Sequence, residues 1–268
     1  MMTQLANDFR SRVQAYTPTA EHHDRLFAEF TTLTWADPVL AAHRRHVESE
    51  KLGFGDPAFH ALWARLLATA VADFGPVDAL EIGVFKGQII SLWALLATTH
   101  NWPVRVHALT PLTGAPLPPP SLWRSLLFRF NARFRERVQS GDFYADADYE
   151  NIIRAHFTHH HLRFEDVRLS RGYSTDPALR TRLAHERFHL IYIDGDHTYE
   201  GALADIEQYA PKIVPGGWLV MDDASFDQLG TVFWKGYASV ARACHRLPEL
   251  GFKNVLTIGH NRVFQRQR

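Results

Sequence analysis

A single cysteine, Cys244, stands among 268 residues. That excludes an intrachain disulfide framework and any thiolate-rich zinc or iron–sulfur site. Net charge is missing too, because 29 lysines and arginines cancel 29 aspartates and glutamates. Nothing in that balance demands a polyanionic partner, and a nucleic-acid target is disfavoured. No uninterrupted apolar run is long enough to span a bilayer, and the opening MMTQLANDFR lacks the apolar core of a secretion signal. The expectation is a cytoplasmic protein with no membrane span. Hydrophobic residues make up 46% and charged residues 22%, a balance that builds a sizeable core at this length. Sixteen histidines are the one odd count.

The first fifty residues are polar and helical in pattern, with Phe27, Phe30 and Leu33 at helical spacing. Residues 1–55 therefore read as an N-terminal helical arm for packing or oligomerisation, and a homo-oligomer is expected. The breaker cluster 53–57 opens a helix through Phe74, with Asp56 as N-cap and Pro57 at the first helical position. Leu62, Leu66, Ala70 and Phe74 form its apolar stripe.

From Val77 the rhythm becomes strand, turn, helix, the mark of a parallel sheet. Strands are expected at 77–82, 104–109, 167–169, 188–193 and 218–221, with helices at 88–98 and 199–210. Segments 254–258 and 262–265 flank Gly259-His260-Asn261 and read as an antiparallel hairpin. Residues 56–268 thus predict an α/β unit, a doubly wound sheet closed by that hairpin. An insert at about 114–147 interrupts it. Four prolines in 114–120 exclude helix and central strand. Trp123, Leu126, Leu127, Phe130, Phe134 and Val138 then follow a helical stripe among five arginines, a basic amphipathic helix.

Glu81-Ile82-Gly83-Val84-Phe85-Lys86-Gly87 sits where the first strand feeds a helix. Glycine permits a tight turn and a close ligand approach. The pattern E-x-G-x-x-x-G differs from the G-x-G-x-x-G that sets a pyrophosphate on a helix N-terminus. An acid before the turn repels a pyrophosphate and can orient an ammonium group, which favours S-adenosylmethionine. Glu81, Gly83, Val84, Phe85 and Gly87 are the candidate cofactor contacts. At the end of the second strand Thr110 stands where ribose-binding folds usually carry a carboxylate, and its hydroxyl is a weaker candidate for the ribose.

The strand 188–193 ends abruptly in Asp194-Gly195-Asp196-His197, and the strand 218–221 ends in Asp222-Asp223. On neighbouring parallel strands about 4.8 Å apart, these carboxylates converge at the edge where doubly wound sheets bind ligands. Clustered acids repel one another unless a hard divalent cation neutralises them through oxygen ligands. Magnesium or manganese suits such a set better than zinc.

The E-x-G-x-x-x-G turn, I-D-G-D-H-x-Y and P-G-G-W-L-V-M-D-D resemble metal-dependent class I O-methyltransferases, specifically the macrocin and mycinamicin sugar O-methyltransferase group. The resemblance runs from about Val77 to the C-terminus, except for the insert. It implies a seven-stranded Rossmann-like methyltransferase sheet with a reversed final hairpin. It implies metal ligands at Asp194, Asp222 and Asp223, and a catalytic base at His197. Asp194 also carries a catalytic and a cofactor role, and Asp194 and Asp196 remain partly interchangeable. Ser174 falls where the adenine end of the cofactor is contacted, or it forms a turn before Pro177.

The expected function is S-adenosylmethionine- and Mg2+-dependent O-methylation of a small molecule, a sugar of a glycosylated natural product. The alternatives are a catechol-like phenol or nitrogen acceptor, or a non-catalytic protein that keeps the fold. Of the remaining histidines, His159-His160-His161 precedes a strand and reads as solvated, and His22, His23, His43 and His46 are placed on exposed faces of the arm, with reach toward substrate as the alternative.

Overall fold

The computed structural model describes residues 1–113, 126, 129–130 and 147–268. The proline-rich segment and nearly all of the expected basic helix, Trp123 included, lie outside the described residues.

The chain opens with four helices: α1 (Met2–Gln14), α2 (Ala20–Ala36), α3 (Pro38–Ser49) and α4 (Ala58–Phe74). Thr19 and Asp37 start α2 and α3 by accepting backbone N–H bonds, His22 for the first, Val39 and Leu40 for the second. These bonds satisfy amides that a helix start leaves unpaired. Then follow β1 (Val77–Ile82), α5 (Gln88–His100), β2 (Val104–Thr110), α6 (Tyr149–His159), β3 (Arg168–Arg171) and α7 (Pro177–Arg182). The chain closes with β4 (Phe188–Ile193), α8 (Tyr199–Tyr209), β5 (Ile213–Met221), α9 (Ala238–Ala243), β6 (Phe252–Ile258) and β7 (Asn261–Arg266).

The seven strands form one sheet in the order β3-β2-β1-β4-β5-β7-β6. Every pair from β3 to β5 is parallel, and β7 runs antiparallel to both β5 and β6. This is the expected Rossmann-like methyltransferase sheet with its reversed hairpin. Alternation along the strands loads both faces. Val77, Ala79, Leu190, Tyr192, Trp218 and Val220 pack into one core with α4 and α5. Leu80, Ile82, Ile191, Ile193, Leu219 and Met221 pack into the other with α8 and α9.

Two local expectations change. Asp56 does not cap α4, whose N-cap is Pro57 with no side-chain bond; its carboxylate instead faces His260 at 3.8 Å. The arm histidines are not solvated: His22, His23 and His43 are buried. The physical reason is that α1 to α3 lie against the body. Phe9, Leu26, Phe30 and Leu40 share a core with Leu62 and Leu66 of α4, and Phe9 meets Trp218 edge-on at 5.4 Å.

Candidate active site

Strand order reverses between β1 and β4, so the connections leaving their carboxyl ends part to opposite sides of the sheet and open a crevice. The register pairs Ile82 with Ile193 and Ile193 with Met221. The next residues, Gly83, Asp194 and Asp222, therefore stand side by side at one edge. Gly83 has φ +94°, and a Cβ there would lie 1.9 Å from the Asp194 carbonyl oxygen. The glycine is thus required by the neighbouring strand end as well as by the turn. Gly87, also left-handed, is the N-cap of α5.

The glycine turn is braced from β2. The buried Thr110 hydroxyl donates to the Val84 carbonyl at 2.8 Å and accepts from Leu112 N at 3.2 Å. Phe85 packs between Phe54 and Tyr149, at centroid distances of 5.6 and 5.5 Å. Glu81 is buried, and burial pushes its carboxyl up to about 8, with the Asp222 charge adding to the rise. The Ile90 N–H at the start of α5 donates to this carboxyl, while Glu81 Oε2 has no hydrogen-bond partner.

Around the crevice the acids converge. Burial, then the charges of Asp222 and Glu81, push the Asp194 carboxyl well above its ordinary range. Tyr192 OH donates to Asp194 Oδ2 at 3.4 Å. His197 Nε2 lies 3.4 Å from both Asp194 Oδ1 and Asp223 Oδ2, and its ring stacks on Tyr237 at 5.0 Å. His197 Nε2 and Asp222 Oδ1 are both buried without a hydrogen bond. Asp223 holds a left-handed backbone, φ +51°, a conformation uncommon away from glycine.

Asp196 takes a different place. Its exposed carboxylate accepts from Thr198 N at 2.8 Å, just before α8. Of the two interchangeable aspartates, only Asp194 reaches the cluster. Ser174 sits beyond β3, where its carbonyl accepts from Tyr209 OH at 2.9 Å and its side chain bonds Asp205. It is not brought to the acids.

The largest omission from the sequence reading is His260. Its ring is buried in the β6–β7 turn, with Nε2 3.4 Å from Asp222 Oδ1 and 3.8 Å from Asp223 Oδ1. Two sets of donors thus share Asp222, each converging closely enough to hold an ion: Asp194, His197 and Asp222 in one, and Asp222, Asp223 and His260 in the other. The loop from Ala224 to Gly236 adds an apolar rim, with Phe226, Leu229, Val232 and Trp234 about half exposed or more. Its apolar side chains at 226, 229 and 232 stand three apart on either side of Gly230, in a segment that forms neither helix nor strand, so their spacing did not mark them as a rim.

Comparison with curated proteins finds no match. Among solved structures, the chain is similar to the O-methyltransferase NovP, with 19% identity, 78% of this chain and 80% of that one covered, and a TM-score of 0.54. It is similar to cofactor-bound Rv0187 from MTB, with 19% identity, 94% and 100% covered, and a TM-score of 0.53. A third is the O-methyltransferase TomG from Streptomyces achromogenes in complex with SAM, with 13% identity, 93% and 99% covered, and a TM-score of 0.53. At these identities the likeness is one of fold. The model of a family described as a methyltransferase domain matches residues 80–224, from the middle of β1 through the glycine turn to just past the paired aspartates. That is more than half of the chain, which therefore belongs to this methyltransferase-domain family and is an S-adenosylmethionine-dependent methyltransferase.

Proposed function

We propose that the protein is a divalent-cation-dependent O-methyltransferase acting on a hydroxyl of a small molecule, a sugar of a glycosylated natural product. The observation that carries this reading is the meeting of Asp194, Asp222, Asp223 and His197 beside the glycine turn. Their chemistry fits a hard cation. Three carboxylates and the nearby Glu81 repel one another, and Asp222 Oδ1 is buried with no hydrogen bond to offset that cost.

Asp194, Asp222 and Asp223 would hold Mg2+ or Mn2+, which when bound lowers the pKa of an acceptor hydroxyl. His197 Nε2 takes the hydroxyl proton, and Asp194 and Asp223 on either side stabilise the imidazolium that results. Tyr237 holds the ring by stacking. On the cofactor side, Glu81 Oε2 supplies an unpartnered acceptor for the ammonium group, whose charge would draw the Glu81 carboxyl back down toward its ionised form. Gly83, Val84, Phe85 and Gly87 shape the turn against which the cofactor lies. Thr110 acts on that turn through Val84, while Ser174 is held beyond β3 by Tyr209 and Asp205. The remaining work is in-line positioning of oxygen and methyl carbon.

The acceptor side is formed by the apolar rim 226–234 and the arm of residues 1–55 beneath it. Asp24 of α2 accepts from Thr231 N at 2.8 Å and Thr231 Oγ1 at 2.7 Å. Such a rim suits an acceptor with apolar surface beside its hydroxyl. TomG, one of the similar structures, is involved in tomaymycin synthesis, which supports a natural-product acceptor.

The test joins calorimetric binding of S-adenosylmethionine with turnover on a panel of glycosides and catechols. Asp222→Asn should bind the cofactor and lose turnover. His197→Gln should lose about 10²- to 10⁴-fold in kcat. Full turnover in EDTA would remove the cation and favour a nitrogen acceptor. Absence of cofactor binding would leave the non-catalytic reading.

A further inference from the structure

Outside the acid cluster, histidines gather where α3 meets α6. His43 and His46 lie one turn apart on α3, and His156, His159 and His160 stand at i, i+3 and i+4 on α6 and its C-cap. The two sets interleave. His46 lies flat on His159 with centroids 3.5 Å apart and planes 2° apart. His43 stacks on His160 at 4.8 Å, and His46 on His156 at 5.2 Å. The expectation of a solvated 159–161 tract therefore fails at His160, which is only partly exposed and faces α3, while His159 and His161 are exposed.

The inner and outer halves of the cluster differ in their partners. Inside, His43 Nδ1 meets His60 Nε2 at 2.9 Å and His43 Nε2 meets Ser91 Oγ at 3.0 Å. Ser91 Oγ also meets His156 Nε2 at 2.7 Å. Both nitrogens of His43 are thus engaged. Outside, one nitrogen each from His46, His159 and His160 lie within 4.8 Å of one another, and His160 Nε2 is buried with no partner. His156 Nδ1 behind it is equally unpartnered, on a ring that is 1% exposed.

We infer that His46, His159 and His160 form a second metal site, taking a borderline divalent ion of the zinc type and tying α3 to α6. Three imidazoles with no carboxylate among them select such an ion over magnesium. His159 is exposed, which provides an entry path and leaves the fourth position to solvent. Bonds of about 2.0–2.1 Å need nitrogens roughly 3.3 Å apart. Closing that gap requires His46 and His159 to rotate out of their flat stack so that the in-plane lone pairs converge. Beneath the site, the His43–Ser91–His156 chain holds the inner rings as a fixed floor. The ion would pin the N-terminal arm to the helix that leads into β3.

The experiment uses tag-free, full-length Asp222→Asn protein, so that the acid cluster does not report. Zn2+ is titrated in competition with a chromophoric chelator, and Co2+ binding is followed by its visible spectrum. One equivalent should bind, Co2+ should give the intense bands of a tetrahedral site, and Zn2+ should raise the Tm. His159→Gln, on an exposed ring that carries no core packing, should weaken binding by at least about a hundredfold, the upper end of what losing an outer partner costs. His160→Asn should do the same, and His161→Gln should change nothing. Less than stoichiometric Zn2+, or equal affinity in His159→Gln and the parent, would overturn the site and leave the cluster as a packed imidazole stack.

Discussion

His260 Nε2 lies 3.4 Å from Asp222 Oδ1, which brings the turn of the β6–β7 hairpin onto the end of β5. On its other side, Nδ1 faces Asp56 Oδ2 at 3.8 Å, and Phe59 and Trp234 press on the ring at 4.5 and 5.4 Å. A histidine held between two carboxylates and wedged by two aromatic rings cannot swing away. It sets where the Asp222 and Asp223 oxygens stand. His260→Asn should therefore weaken Mg2+ or Mn2+ binding by about 10- to 100-fold, as loss of an outer partner does. Cofactor affinity measured without metal should stay at the wild-type value. Unchanged metal dependence of turnover would remove His260 from the site.

The sheet and its acids were legible in the sequence for a physical reason. Short apolar strands ending in Asp194 and Asp222-Asp223 carry their own register, because neighbouring parallel strands end level. His260 was not legible, since Gly259-His260-Asn261 reads as a turn whatever lies opposite it. Only the antiparallel pairing of Met221 with Arg262 places it beside Asp222. Asp56 obeys the local rule for a cap, but its carboxylate is drawn toward His260. The histidine cluster left a trace, the i, i+3, i+4 spacing of His156, His159 and His160. Its meaning depended on α3 packing across it, and no periodicity announces which helix will lie opposite.

Asp24 connects the arm to the acceptor rim. Besides Thr231, it accepts from Val232 N at 3.3 Å, and the adjacent His23 Nδ1 contacts the Leu229 carbonyl. Replacing Asp24 with Ala removes three acceptor contacts from an exposed loop and should leave the sheet untouched. KM for the acceptor should rise, with S-adenosylmethionine affinity unchanged and the folding free energy lowered by at most about 3 kcal/mol, roughly 1 kcal/mol for each of the three exposed hydrogen bonds. A parallel loss of cofactor binding would show that the loop does not act on the acceptor alone.

Acid should loosen the core where α3, α4 and α6 meet. His60 and His156 are pushed down to about 3, each chiefly by burial, whereas an unfolded histidine titrates near 6.5. Between those values the native state binds fewer protons than the unfolded chain. Stability is full above about pH 6.5 and falls as pH drops toward about 3. Each such histidine contributes a slope of about 1.4 kcal/mol per pH unit. Urea unfolding in EDTA at several pH values between 7 and 4 measures it. His60→Asn should flatten the slope, even though its stability at pH 7 is lower. An equally steep variant would assign the acid sensitivity to other groups.

Two glycines with nearly the same φ separate conformational strain from steric exclusion. Gly236 has φ +83° and Gly251 φ +82°, so alanine at either position meets a positive-φ penalty, roughly 1–2 kcal/mol. Their surroundings differ. A Cβ at Gly251 meets nothing within 4 Å, whereas one at Gly236 lies 2.1 Å from the Asp223 carbonyl oxygen. That oxygen accepts from Tyr237 N at 2.9 Å, and Ala224 bridges to Gly236 beside it. Backbone cannot rotate away as a side chain can, so Gly236→Ala must push the rim off Asp223. Gly251→Ala should cost only the positive-φ penalty in urea unfolding and keep full turnover. Gly236→Ala should cost clearly more, and turnover should fall with it as Asp223 and the His197–Tyr237 stack shift. Equal losses in the two variants would mean that the rim gives way freely and does not hold Asp223 in its left-handed place.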